Sequence, residues 1–225
     1  MPISQKALRA LLGAIVLCLV AIPAYAGAIQ LTSASQLNAS DSVATYPGTN
    51  LTVLPSPVGL SVGGNVLTFT KLGAGAFVIS LNGLFGSSFP PNTAVLYTGN
   101  AYGQGGGNIE IAFASPITEL GFLVKNNFNF LAPPFSLAVY NNASLLGTFA
   151  VPGDMGTQFL GALAIGGDLI TRAVISSPLP DFAIGPMTFG NSPTAVPEPA
   201  TIALLGISLA GVSVKLRSKR KPSRQ

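Results

Sequence analysis

The sequence predicts an all-β protein: a jelly-roll-like antiparallel β-sandwich over residues 27–190, flanked by an N-terminal signal helix and a short C-terminal transmembrane helix. Three observations point there. Between Gly27 and Ala195 no amphipathic helical pattern appears, while short apolar or alternating runs recur between Gly, Pro, Asn and Ser punctuation. Thirteen Phe residues in a chain of 225 supply material for a large core. The two long uninterrupted apolar runs sit at the ends, outside the alternating region.

The elements follow in chain order. Val66–Thr70 comes after a Gly63-Gly64 turn, and Ile109–Phe113 alternates strictly, with Glu110 facing out. A Ser115-Pro116 break separates it from Leu120–Val124. Phe135–Tyr140 and Leu145–Val151 flank Asn141-Asn142-Ala143-Ser144, a hairpin signal. Ile170–Ile175 and Phe182–Phe189 close the domain, and runs apolar on both faces suit two packed sheets. Residues 126–130 and 99–108 are the expected exposed loops. No repeat of fixed period is present.

Charge is partitioned along the chain. The formal net charge is +4, but the basic residues concentrate at the ends. Residues 27–195 hold Lys71, Lys125 and Arg172 against Asp41, Glu110, Glu119, Asp154, Asp168 and Asp181, a net −3. A mildly acidic folded part argues against a nucleic-acid partner. There is no His, and the one Cys, Cys18, lies in the N-terminal apolar run. Ser-His-Asp and Cys-His catalysis, His-based metal sites and a disulfide framework are therefore excluded from the domain. Gly103-Gln104-Gly105-Gly106-Gly107 lacks the Lys-Ser/Thr and helix of a phosphate loop. No cofactor is expected.

Residues 1–26 read as a signal peptide. Lys6 and Arg9 form the positive start, Ala10–Ile22 the apolar stretch, and Pro23 breaks the helix. Ala24 and Ala26 then place small residues at −3 and −1 for cleavage before Gly27. Sec translocon and signal peptidase are the implied partners; a retained anchor is the alternative. Leu17 before Cys18 does not fit a lipidation site.

The C-terminus mirrors this. Residues 191–199 form a linker containing Val196-Pro197-Glu198-Pro199, followed by an apolar helix over 200–216 and a basic tail over 217–225. The uninterrupted apolar run, Ala200–Val214, covers about 22 Å at ~1.5 Å per residue, short of the ~30 Å hydrocarbon core. Gly206, Ser208, Ala210, Gly211 and Ser213 permit close packing against a partner helix. Lys215, Arg217, Lys219, Arg220 and Lys221 stop transfer and stay cytoplasmic.

This order of Val-Pro-Glu-Pro, short small-residue helix and terminal basic cluster resembles the PEP-CTERM sorting signal of Gram-negative bacteria. The resemblance implies processing near Pro197-Glu198-Pro199 by an exosortase, a membrane cysteine peptidase. It also implies an inner-membrane-tethered intermediate and a final place at the cell surface or in an exopolysaccharide matrix. An ordinary tail anchor is the alternative. Although the tail is also labelled after an ice-binding protein, no Thr-x-Thr ladder of fixed period accompanies it here. Segments 113–122, 144–149 and 181–190 likewise resemble sandwich domains on other PEP-CTERM proteins, a group with no established activity to lend.

The expectation is a non-enzymatic surface or matrix protein. Two alternatives use the six acids. In a carbohydrate- or calcium-binding module, Asp154, Asp168 and Asp181 are the calcium candidates, since acids in turns can join loop carbonyls around the ion. In a carboxylate glycosidase, Glu110 and Glu119 on successive strands would form the pair. The sequons at Asn38, Asn50 and Asn142 carry no weight in a bacterial context.

Overall fold

The computed structural model describes residues 27–80, 85, 88–99, 106–127, 133–154 and 156–191. The expected signal peptide with Ala24 and Ala26, and the expected tail with Val196–Pro199 and Lys215–Lys221, lie outside them. Among the described residues no helix is long and apolar enough to cross a membrane.

Among the described residues fourteen strands form, in chain order β1 (Gly27–Leu31), β2 (Ser42–Ala44), β3 (Val53–Leu54), β4 (Val58–Val62), β5 (Asn65–Leu72), β6 (Phe77–Ser80), β7 (Val95–Tyr97), β8 (Asn108–Ile117), β9 (Glu119–Asn126), β10 (Phe135–Asn141), β11 (Ser144–Val151), β12 (Gln158–Ile165), β13 (Ile170–Ser176) and β14 (Phe182–Gly190). They make two antiparallel sheets. The larger runs β1-β12-β9-β14-β7-β6-β3, with β2 also on β14; the smaller runs β11-β10-β13-β8-β5-β4. The expected two-sheet antiparallel sandwich is what forms.

Period-two alternation builds the core between the sheets. From the smaller sheet come Leu67 and Phe69 of β5, Ile109 and Ile111 of β8, and Leu137 and Val139 of β10. Leu120, Phe122 and Val124 of β9, with Ile184, Met187 and Phe189 of β14, meet them from the larger. Each such side chain contributes about 1.5–3 kcal/mol on burial. Edge-on rings lock the layers: Tyr46 on Phe69 at 5.7 Å and Phe135 on Phe182 at 5.6 Å. The Tyr46 hydroxyl donates to the Gly185 carbonyl at 3.0 Å, so the buried phenol is satisfied.

Two details differ from the sequence reading. The break expected at Ser115-Pro116 does not end β8. The strand continues to Ile117, while register slips between Ile117↔Ile170 and Ala112↔Arg172, so Pro116 sits in an exposed bulge. The 141–144 hairpin forms as expected, with Asn142 carrying φ +53° in the turn. Asn126, placed by the sequence in an exposed loop, is instead buried at the end of β9, and Gly99 is buried too.

The larger sheet is covered on both sides. Phe85 and Phe89 pack with Val78, Val95, Tyr97 and Ala183 on its outer face, against Leu123. Further along, the segment between β1 and β2 lies across β9. Leu37 occupies the space over Gly121, and Gly121 and its partner Gly161 leave room for the Phe159 ring.

Candidate functional site

On β9, Leu120, Phe122 and Val124 point into the core, so Glu119, Gly121, Leu123 and Lys125 point to the outer face. In an open sheet Glu119 would meet water. Here the strap of residues 32–41 covers it, and Glu119 is 0% exposed.

Local hydrogen bonds shape the strap. Gln36 Oε1 accepts from the Thr32 and Ser33 backbone amides, closing the single 3-10 turn Ala34–Gln36. Asn38 Oδ1 accepts from the Ser40 amide at 3.0 Å, and the Asp41 amide donates to the Asn38 carbonyl at 3.1 Å. This Asx-type turn turns Asp41 down onto the end of β14. A Cβ on Gly190 would stand 1.8 Å from Asp41 Oδ1, so only glycine admits the carboxyl there. Gly190 pairs in register with Glu119, which brings the two acids together.

All four oxygens of Asp41 and Glu119 are buried, and the two carboxyls hydrogen-bond to each other beside the Asn38 backbone amide. Burial, then the charge of Asp41 and the facing carboxyl, push Glu119 up to about 7. Burial also raises Asp41, against a downward pull from the Asn38 backbone amide and from Glu119. Beside the pair opens a polar cavity of about 320 Å³ whose walls include Asp41, Ser42, Asn65, Ser115 and Asn191. Its rim is fixed by Asn65, which donates to the Ser115 carbonyl at 2.7 Å and accepts from the Ser115 amide at 2.9 Å. A second, apolar hollow of about 230 Å³ on the same outer face is lined by Leu37, Phe89, Leu123 and Phe159.

Of the carboxylates singled out from sequence, Glu119 lies in this pair and the others fall elsewhere. Glu110 and Glu119 do not form the expected pair. The chain crosses between sheets at Thr118, so Glu110 lies on the smaller sheet and Glu119 on the larger. Glu110 instead accepts from Arg172 at 2.8 Å, and that guanidinium stacks 3.9 Å from the Tyr140 ring centroid. Asp168 Oδ2 accepts from the Gly27 backbone amide at 2.6 Å. Asp181 is buried and accepts from the Tyr97 hydroxyl at 2.6 Å, while Asp154 is exposed. Among the described residues no three His, Cys, Asp or Glu side chains gather as a metal cluster, so Asp154, Asp168 and Asp181 are not brought together.

The Asp41–Glu119 pair was missed in sequence because Glu119 reads as a solvated strand residue. A signal was present. Strict alternation places Glu119 on the face that carries Gly121 and Leu123, which is itself apolar and needs cover.

Fold and site together define the class: an all-β, two-sheet antiparallel sandwich with a buried acid pair on its outer face. The particular match lies beyond the sandwich, where the family model of the PEP-CTERM protein-sorting motif matches residues 195–221. The chain therefore carries a PEP-CTERM sorting motif, which implies processing by an exosortase and export to the cell surface through a membrane-tethered intermediate. No curated protein matches the chain. Among solved structures, the enzymatically active domain of tailspike protein 4 of bacteriophage CBA120 is 12% identical, with a TM-score of 0.32. The match covers 57% of this chain and only 19% of that one. A mutant of the family 29 carbohydrate-binding module CBM29-2 is 13% identical over 67% of this chain and 99% of its own, at a TM-score of 0.33. The module CBM6cm-2 of Cellvibrio mixtus lichenase 5A, in complex with cellotriose, is 10% identical over 64% and 99%, at 0.25. At such TM-scores these likenesses carry no argument about ligand or activity.

Proposed function

We propose that this chain is a non-enzymatic cell-surface or extracellular-matrix protein of a Gram-negative bacterium, whose ends are delivery signals and whose working part is the sandwich. The sorting motif at 195–221 carries the reading. The Sec translocon threads residues 1–26, signal peptidase cuts before Gly27, and the 200–216 helix holds the domain at the inner membrane. Exosortase then processes the chain near Pro197-Glu198-Pro199, releasing the domain toward an exopolysaccharide-rich surface.

The chemistry of the domain supports a non-catalytic role. Residues 27–190 have neither His nor Cys, and Glu119, the carboxylate raised to about 7, is sealed under the strap away from any substrate. Deleting residues 196–225 tests the reading. The expected result is a domain that keeps its melting behaviour but changes its distribution between membrane, surface and medium. An unchanged distribution on fractionation argues against sorting through this tail.

A further inference from the structure

We propose that the Asp41–Glu119 pair is a proton-held latch: sharing one proton, it keeps the 32–41 strap down on β9 and β14, and loss of that proton lets the strap lift. The strap belongs to neither sheet. The pairing of β1 with β12 ends at Leu31, and that of β2 with β14 begins at Ser42. The residues between are anchored at both ends and run from the β1 edge of the larger sheet to β14 without joining a ladder. The bonds made by Thr32, Ser33, Ser40 and the Asp41 amide close inside the strap itself. Toward the sheet it presents Leu37, over Gly121, and Asp41, against Gly190 and Glu119. The polar hold on the sheet is thus the contact between two carboxyls, in which Glu119 donates and Asp41 accepts. Without the shared proton, that contact becomes two like charges facing each other with all their oxygens buried.

The surroundings do not offset the second charge. β1, β2, β12 and β14 carry no ionisable side chain, and Asp41 is the strap's own. The other ionisable group of β9, Lys125, is at the far end of the strand, where it donates to the Phe85 carbonyl at 3.2 Å and to Ser88. Lys71 donates to the Ala76 carbonyl at 3.5 Å, and Arg172 is held by Glu110. Asp168, beyond β12, accepts from the Gly27 amide. The Asn38 backbone amide does steady both carboxyls, but it moves with the strap. Closed, Glu119 keeps its proton up to about 7; facing water, a glutamate releases it near 4.5. Closure therefore takes up a proton. It is favoured fully below about 4.5, loses ground as pH rises to about 7, and is level beyond. Lifting also carries Ala34 and Leu37 off the apolar hollow they help to wall, which uncovers the side formed by Leu123 and Phe159. The latch thus governs an apolar surface that is covered in acid and opened toward alkaline pH.

Hydrogen exchange read by mass spectrometry on the full-length chain in detergent tests this. A lone 3-10 turn has no stability of its own, so protected amides within 32–41 report that the strap is docked. With intrinsic rates divided out, strap protection is expected to fall about 10-fold from pH 5 to pH 8. At both pH values it should stay well below the protection of β8, because the strap opens while the sandwich remains folded. Glu119→Gln, whose neutral amide still donates to Asp41, is expected to abolish the fall. Asp41→Asn removes the facing charge and is expected to reduce it, which gives a second variant should the first fail to fold. Strap protection that is level from pH 5 to pH 8 overturns the proposal. So does protection equal to that of β8, since the strap then opens only with the whole domain, and so does an undiminished fall in the variant that folds.

Discussion

Replacing Asp181 by alanine removes the acceptor of a hydrogen bond enclosed by the protein. The Tyr97 hydroxyl donates to Asp181 Oδ1 at 2.6 Å and accepts from Asn127 Nδ2 at 3.1 Å. Tyr97 is 0% exposed and Asp181 8%, so water cannot replace the lost partner without opening the end of β7 and β14. A bond to a charged acceptor is worth about 1.5–3 kcal/mol, and a buried donor left unpaired adds to the loss. The expected total is about 2–3 kcal/mol. For a domain of this size that lowers the melting temperature by about 5–10 °C. Tyr97→Phe removes the same bond from the other side, so the two losses should fall short of adding, with a coupling of about 1–2 kcal/mol in a double-mutant cycle. Urea unfolding followed by far-ultraviolet circular dichroism suits a chain without Trp. Additive losses, or a single loss below about 0.5 kcal/mol, would refute the reasoning. A loss that appears only in the presence of Ca²⁺ would return Asp181 to the role of metal ligand.

Two further outcomes follow from the structure. In EDTA, stability should fall as pH rises from about 4.5 to about 7, because the folded state holds the Glu119 proton that the unfolded chain has already released. After discounting for water close to the strap, the fall is about 1–2 kcal/mol; a melting profile flat across this range, or one that Glu119→Gln leaves unaltered, contradicts it. The bond from Gly27 to Asp168 should become an ion pair once the chain is cut before Gly27. Asp168→Asn should then cost a protein beginning at Gly27 up to about 1 kcal/mol more than one with residues still attached ahead of it, a difference that shrinks in high salt.

Much of the sandwich was legible because alternation is a local signal. β5, β8 and β9 each carry a run whose buried side is written in every second residue, β13 and β14 do so on either side of a slip (after Ile170 and between Ile184 and Met187), and the β10–β11 hairpin announces itself through Asn141-Asn142. Short strands such as β2 and β3 have too few residues to show a period. What alternation cannot show is which distant segment covers a strand's second face. Leu123 and Glu119 share the outer side of β9, but the strap at 32–41 and the aromatic cover from Phe85 and Phe89 have no periodicity of their own. Glu119 consequently read as solvated when it is sealed, and Asp41, 78 positions earlier, gave no local sign of meeting it. Sheet membership is equally non-local. Glu110 and Glu119 look adjacent in sequence, yet the step at Thr118 sends them to opposite layers.

The intact mass of the protein recovered from outside the cell bears most directly on the idea that both ends are removed in transit and the sandwich alone is the product. The expected species begins at Gly27 and ends within the linker near Pro197-Glu198-Pro199, with the basic tail gone. Recovery there of a chain running from Met1 to Gln225 would contradict the account.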